Sequence, residues 1–396
     1  MKKTKNTNKV GRGFQPRRTG TQTTSSRISS GDASAAKNAS VGTGNRLPVT
    51  ITCEKEAQGE NQDALPKLKR HKRIRVFEGF AGYGGASFGL RRAGVNFEVV
   101  GYSENDKFAS ALFDANFVGK DGKPIHNWGD ITKINPNDLP DFDLFTGGFP
   151  CQPFSSVGLQ RGELDTYGRG TLCHDIIRIC NAKRPRFILL ENVKGLTAKK
   201  FQGTFDAIKD ALRQMGYGEM CYAVLNTLDY GIPQNRERLW MFAMQGGLPK
   251  GFSMIPPKRI LRGRVKDFLD DKPSKEMYLS VEQIERLKVV YGMESFVVKE
   301  PCCFDLYNRK IKTDGICNTI LAPEHNKLRI LETPKGGRKE IVRKLTVAEQ
   351  FRFMGFKDGE INFAGQSYSQ LSKRAANGWD VNLVGILLNH IFNQIF

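Results

Sequence analysis

The stretch IRVFEGFAGYGGASFGLRRAG, Ile74 to Gly94, decides how the rest of the chain is read. IRVFEGF gathers branched and aromatic residues over the length of a buried strand. FAGYGG, Phe80 to Gly85, follows it, and glycines at a strand end let the backbone turn tightly and approach a ligand. ASFGLRRAG then has the pattern of a helix that stops at Gly94. A strand, a glycine turn and a helix in succession make the first part of a βα unit, and the helix N-terminus at such a turn favours an anionic group. The strict G-x-G-x-x-G spacing is broken, because Ser87 stands in the third glycine's place.

The same alternation continues beyond Gly94. FEVVGYSE is a second strand and DKFASALFDANF a second helix, with Asp106 as its N-cap. DFDLFTGGF is a strand, and TLCHDIIRICNAKR a helix with apolar positions at 172, 176, 177 and 180. FILLENV is nearly continuous in its apolar character, as a strand covered on both faces should be. CYAVLNTLDYG and RLWMFAMQ supply further strands. Repeated units of this kind predict an open, doubly wound, Rossmann-like α/β sheet over residues 73–246. Periodicity weakens near residue 247, and 247–342 mixes short strand-like pieces with Lys-, Arg- and Pro-rich loops, as a small inserted domain would. LTVAEQFRFMGF restarts a helix, with Thr346 and Glu349 spaced as a capping box, and VNLVGILLNHIFNQIF closes 343–396 as an amphipathic helix. Residues 1–72 are rich in Thr, Ser, Gly, Asn and Lys and lack aliphatic clusters, so they are expected to be a disordered basic tail.

The 396 residues are 39% hydrophobic and 26% charged, the make-up of a soluble chain with a full core. No run of about 18 apolar residues exists and the N-terminus has no apolar h-region, so neither a membrane span nor a secretory signal is expected. Eight cysteines and five histidines fall in no metal-ligand spacing, which predicts reduced thiols and no metal site. Net charge is +20. Residues 1–75 hold seventeen Lys and Arg against five Asp and Glu, a net +12, and the remainder is still basic. Such a balance points to a polyanionic partner, against the alternative of a solvated tail with none.

Three motifs carry chemistry. GGFPCQPFSS, Gly147 to Ser156, holds Cys151 on a proline-stiffened turn at the carboxyl edge of a strand, a setting that core filler does not need. ENV, Glu191 to Val193, ends another strand on that edge, and a glutamate there is expensive to bury without a task. QNRER offers Arg236 and Arg238 in alternation, facing one side. A cysteine, a carboxylate and paired arginines converging on a nucleoside pocket form a catalytic constellation, whereas a structural salt-bridge cluster would need no cysteine. Glu104, 22 residues beyond Gly82, is placed to accept from ribose hydroxyls.

In order along the chain, VFEGFAGYGG, YSEND, GDIT, GGFPCQPFS, RGTLCHDIIRI, ILLENVKGL, QNRERLW, RKLTVAEQFRFMGF and NGWDVNLV resemble the motifs of the C5-cytosine DNA methyltransferases, from about Ile74 to the C-terminus. The resemblance implies S-adenosylmethionine as cofactor, double-stranded DNA as partner and transfer of a methyl group to C5 of a flipped-out cytosine. It implies that the Cys151 thiolate attacks C6 of that base and that Glu191 binds N3 and the exocyclic amine. Arg238 would hold O2, and Arg236 would support the loop carrying Cys151. For the cofactor it implies Phe80, Tyr83 and Gly85 in the glycine turn, Glu104 at the ribose, Asp130 and Ile131 at adenine, Pro150 beside the methyl donor, and Asn377 with Trp379 in the closing motif.

Two positions depart from the family pattern. Ala376 precedes Asn377 where glycine is usual, and Asn105 follows Glu104 where an apolar residue often lies against adenine. Residues 247–342 take the place of the family's target-recognition domain, where DGICNTILA, Asp314 to Ala322, resembles its threonine-leucine element. Lys and Arg at 309, 310, 312, 327 and 329 are expected at phosphates. The resemblance further implies a prokaryotic or phage-encoded cytoplasmic monomer of a restriction-modification type. A tRNA cytosine methyltransferase is the nearest alternative, since one branch of the family keeps the motifs on RNA. A silent DNA-binding regulator would not need the cysteine, and a nicotinamide oxidoreductase would leave PCQ unexplained.

Overall fold

The computed structural model describes residues 65–149, 172–261, 263–325, 328–337 and 339–396. Pro150 and Cys151 lie outside them, as does nearly all of the expected tail. The first βα unit forms where the sequence places it. Strand β1 (Ile74–Gly79) leads through the glycine turn into helix α1 (Gly85–Ala93), which ends at Gly94 in the left-handed conformation. Gly84 caps α1 with φ of 85°, and a side chain there would collide with the Phe117 ring. Strand β2 (Phe97–Ser103) and helix α2 (Lys107–Asp114) follow, and the Asp106 carboxylate caps α2 on the N–H groups of Phe108 and Ala109.

Strands β3 (Leu144–Gly148), β4 (Phe187–Val193), β5 (Cys221–Asn226) and β7 (Glu237–Met244) complete a six-stranded sheet in the order β2-β1-β3-β4-β7-β5. The β1, β2, β3 and β4 pairings are parallel, but β7 runs antiparallel to both β4 and β5. This departs from simple repeated winding. Only a short turn, Thr227 to Gly231, and the two-residue strand β6 (Gln234–Asn235) separate β5 from β7, so no crossover helix fits between them.

Alternate residues of the inner strands face opposite layers. Val76, Leu144, Leu189 and Phe242 join Leu90 of α1 and Val384 and Leu388 of the last helix. Phe77, Phe145, Ile188, Leu190 and Met241 join Ile176 of α3 (Leu172–Lys183) and Ile208 of α4 (Gln202–Gln214). Each of these fully buried aliphatic side chains contributes about 1.5–3 kcal/mol. Helix α3 buries Cys173, Ile176, Ile179 and Cys180 and leaves Leu172 and Ile177 half-buried, a stripe turned slightly from the one periodicity alone predicts.

The domain edges also shift. Leu65 and Leu68 pack on the α1 layer, the Pro66 carbonyl accepts from Asn389 Nδ2 at 2.8 Å, and His71 stacks on Phe396, so residues 65–72 belong to the folded body. At the other edge Met254 is buried in the same layer, and the Asp229 carbonyl accepts from Arg259 N at 2.9 Å. Periodicity is lost at 247, yet the chain stays on the α/β body until about Val265, because irregular chain can still bury single apolar residues.

Beyond that point helix α5 (Val281–Tyr291) packs on a small antiparallel sheet. Its strands are β8 (Cys302–Asp305), β9 (Lys310–Lys312), β11 (Leu328–Glu332) and β12 (Ile341–Arg343), in the order β12-β11-β8-β9. Strand β10 (Cys317–Asn318) pairs in parallel with β6 and ties this unit to the large sheet. Helices α6 (Val347–Phe353), α7 (Tyr368–Asn377) and α8 (Val381–Ile395) return to the body. Phe351, Phe356 and Leu371 there meet Tyr83, Phe88 and Phe113 in an aromatic cluster.

Candidate active site

The chain leaves β1 to build β2 on one side and returns to build β3 on the other, so the strand order reverses between β1 and β3. Ligands of open α/β sheets bind outside the carboxyl ends at such a point. A cavity of about 380 Å³ lies there. Phe80, Tyr83, Gly85, Glu104, Glu191, Arg236, Arg238, Asn377 and Trp379 all line it.

The backbone leaving β1 is strained. Phe80 has φ of 53°, with Gly82 at 57° and Gly84 at 85° close behind. An aromatic residue in the left-handed region costs of order 1–3 kcal/mol and persists where surroundings over-determine it. Glu104 locks this turn to β2. Its Oε2 accepts from Gly82 N and its Oε1 from Asp106 N, both at 2.9 Å. Asp106 in turn accepts from Arg374 Nη1 at 2.7 Å, which brings α7 over the cavity.

The opposite wall is built by β3, β4 and β7. Glu191 Oε1 lies 3.1 Å from Arg238 Nε, and both side chains are mostly buried. Burial raises the Glu191 pKa, and the Arg238 and Arg236 charges and a hydrogen bond from Trp379 draw it part of the way back. Arg236 is 2% exposed, and burial, then the neighbouring Arg238 charge, lower its pKa to about 9. Its Nη2 donates to the Ala376 and Gly378 carbonyls at 3.0 and 2.8 Å, while Nη1 has no partner among the described residues. Gly148 admits this arrangement. A Cβ there would stand 2.6 Å from Trp379 Nε1 and 3.0 Å from Glu191 Oε2.

Arg236 holds the closing turn at Ala376 and Gly378, and the loop carrying Cys151, which it is expected to support, lies outside the described residues. Asn192 Nδ2 donates to the Phe149 carbonyl at 3.0 Å. Asp130 and Ile131 do not line the cavity. The Asp130 side chain caps its own turn on Thr132, and Ile131 is buried behind Gly79. Ala376 contributes a backbone carbonyl here, which alanine and glycine supply alike, and Asn105 is exposed outside the lining. Sequence reasoning missed Glu78, Asp106, Thr146, Asn192, Lys373 and Arg374, all of which line the cavity. Glu78 had a legible signal, a carboxylate inside an apolar strand like that of FILLENV. It is 2% exposed, accepts from Ser87 Oγ, and burial pushes its carboxyl up to about 7. Lys373 and Arg374 are distant in sequence, and only the packing of α7 brings them in.

The cavity fits a nucleoside carrying a charged side arm. A fixed carboxylate stands at the end of β2, open backbone lies over the α1 N-terminus, and the Trp379 ring forms a wall. A switch-point sheet edge that pairs such a cavity with a buried carboxylate between arginines defines a nucleoside-using α/β enzyme. The chain belongs to the C-5 cytosine-specific DNA methylase family, whose model matches residues 74–393. It is accordingly an S-adenosylmethionine-dependent DNA (cytosine-5-)-methyltransferase. Type II methyltransferase M.HaeII of Haemophilus aegyptius is 34% identical over 339 residues, 83% of this chain and 95% of its own length. M.SsoII of Shigella sonnei is 42% identical over 329 residues, covering 82% and 81%. Among solved structures, S. pombe Dnmt2 methyltransferase aligns over 82% of this chain and 99% of its own, with a TM-score of 0.60 at 18% identity. At that identity it shows the shared fold alone.

Proposed function

We propose that the protein methylates C5 of a cytosine flipped out of duplex DNA, through a covalent adduct with Cys151. The observation that carries this reading is the Glu191–Arg238 pair at 3.1 Å beside Arg236, on the same sheet edge as Phe149, from which Pro150 and Cys151 follow. C5 of cytosine is a poor nucleophile until C6 is saturated. The Cys151 thiolate forms the S–C6 bond, and the C5–C6 π pair moves towards N3 and O2. Glu191, its proton held more tightly by burial, donates to N3 as negative charge develops there. Arg238 donates to O2. S-adenosylmethionine would supply the electrophilic methyl carbon, and C5 takes it with the electron pair released by the addition, the cofactor sulfur keeping the pair of its broken bond. A base then removes the C5 proton, the pair of that bond re-forms C5=C6, the S–C6 pair returns to the Cys151 sulfur, and N3 gives its proton back to Glu191.

Glu104 would hold the ribose of the cofactor, with Phe80, Tyr83, Gly85, Asn377 and Trp379 around it and Pro150 beside the methyl donor. Asn192 donates to the Phe149 carbonyl and would in this reading position the segment that follows. Flipping the base costs a few kcal/mol and exposes C6 to the thiol. Residues 247–342 serve as the target-recognition domain in this reading. The protein acts as a type II methyltransferase, the words that the names of its relatives carry, and in this reading it works as a monomer. Among the described residues no group of three or more His, Cys, Asp or Glu is arranged to hold a metal, and no helix is long and apolar enough to cross a membrane.

The test is adduct formation on duplex DNA containing 5-fluorocytosine, whose fluorine blocks the final elimination. Wild type should give a denaturation-resistant complex in the presence of cofactor. Cys151→Ser should give none, with cofactor affinity nearly unchanged. Transfer of label from S-adenosylmethionine without any such complex would sink the covalent route, and label on tRNA alone would replace DNA as the substrate.

A further inference from the structure

Arg374 lines the catalytic cavity from α7, yet none of the methyl-transfer steps needs it. Its side chain is 5% exposed, and its Nη1 donates to Asp106 Oδ1 at 2.7 Å. A guanidinium is costly to bury, and a partner that is itself 33% exposed returns only part of that cost. Stability alone is a weak reason for such a pair in the wall of a ligand cavity.

What the pair holds is the end of β2. The same Asp106 oxygen accepts from Phe108 N at 2.9 Å and Ala109 N at 3.3 Å, so Arg374 grips the cap of α2. Burial works against the Asp106 carboxylate, but the Phe108 N–H and the Arg374 charge hold its pKa below the usual range. The Asp106 N–H donates in turn to Glu104 Oε1 at 2.9 Å, and Glu104 Oε2 accepts from Gly82 N at 2.9 Å. Two of the roughly four acceptor sites on the Glu104 carboxylate are thereby used, and these bonds fix the direction of the others.

The other end of α7 is tied down separately. Gly378 N donates to the Arg374 carbonyl at 2.9 Å, Arg236 Nη2 holds the Ala376 and Gly378 carbonyls, and Tyr83 Oη donates to the Trp379 carbonyl. Those contacts join the closing turn to β7 and to the glycine turn after β1. Arg374 joins the same helix to β2, where Glu104 stands.

We propose that Arg374 is a positioning residue for the cofactor: through Asp106 it fixes the Glu104 carboxylate, and so sets how strictly the site demands the ribose hydroxyls of S-adenosylmethionine. The inference rests on the reading that Glu104 holds that ribose. A carboxylate locked by two backbone donors is left short of a hydrogen bond when a hydroxyl is missing, and it cannot turn to find another. A looser carboxylate turns to water and tolerates the loss.

The experiment measures dissociation constants by calorimetry on the full chain, for S-adenosylmethionine and for its 2′,3′-dideoxy analogue. Wild type should prefer the natural cofactor by about 10- to 100-fold, as expected for hydrogen bonds to a charged group. Glu104→Gln should lose most of that preference. Arg374→Ala should cut it about 10-fold, chiefly by weakening the natural cofactor. Arg374→Lys, which keeps the charge, should restore much of it. Asp106→Asn keeps a capping side chain for α2 and should match Arg374→Ala; it decides the matter if that variant does not fold. A merely structural role would lower the melting temperature and weaken both ligands alike, leaving the preference intact. A preference kept by Arg374→Ala and Asp106→Asn but lost by Glu104→Gln overturns the positioning role and leaves Glu104 at the ribose. A wild type that binds both ligands equally, or a Glu104→Gln chain with the full preference, overturns the ribose reading and this inference with it.

Discussion

Glu191 and Glu78 are two carboxylates buried at one sheet edge with different surroundings. Glu191 has Arg238 at 3.1 Å, whereas among the described residues Glu78 has Ser87 and backbone N–H groups to offset its desolvation. Glu191→Gln keeps the shape and removes the proton donor. Methyl transfer should fall by about 10²–10³-fold, as when a single transition-state hydrogen bond is lost, with cofactor affinity nearly unchanged by calorimetry. Glu78 gives a stability signature instead. Its carboxyl is raised from 4.5 to about 7, so between those values the folded chain keeps a proton that the unfolded chain has released. Stability is therefore full below pH 4.5 and falls as pH rises through about 7. Glu78→Gln should match wild type in acid and exceed it by up to about 3 kcal/mol at pH 8, compared by urea unfolding at the two pH values. Equal gaps at both would place the titration elsewhere.

At the scale of elements, α6 shows how a short helix can hold two units together. The Thr346 hydroxyl accepts from Glu349 N at 3.1 Å, and Glu349 reaches back to Thr346 N at 2.8 Å. That much was legible as a capping box. The same carboxylate also accepts from Asp270 N at 2.7 Å and from Arg343 Nη1 and Nη2 at 2.8 and 2.7 Å, and nothing in the local sequence announces Arg343 as its partner. Both side chains are fully buried. Glu349→Ala leaves the Arg343 charge with Glu332 alone and should cost about 3–5 kcal/mol, far beyond the ~1 kcal/mol of an ordinary cap. Urea denaturation decides between the two magnitudes. The antiparallel course of β7 escaped the sequence for a related reason. RLWMFAMQ is equally apolar in either direction, and direction was set by the short link from β5.

At the scale of the whole molecule, the charge of the N-terminal segment is uneven. Residues 1–64 hold eleven Lys and Arg against five Asp and Glu, and every motif that lines the cavity lies beyond them. Removing 1–64 should leave turnover on saturating DNA unchanged. It should weaken binding at low salt, with the gap closing as salt rises, since each neutralised phosphate steepens log K against log salt by about 0.9. Equal slopes for the two chains would mean that these charges touch no DNA. Removing 1–72 should add a stability loss of about 1–3 kcal/mol, because Leu65, Leu68 and the His71–Phe396 stack go with it.

By itself the sequence determined the βα order, the glycine turn and the helix caps at Asp106 and Thr346, because each depends on neighbours within one or two turns of chain. Glu104, Glu191, Arg236 and Arg238 were readable for the same reason: a charged residue at the end of an apolar strand stands out locally. Tertiary structure alone decided what those residues hold. Arg236 meets the carbonyls of Ala376 and Gly378, Asn192 meets Phe149, and Arg374 meets Asp106. Most of these pairs are more than forty residues apart, and the energy that joins them is hydrogen bonding between groups already buried by other contacts. No local pattern encodes such a partner. It exists only once the sheet has closed and α7 has returned to cover it.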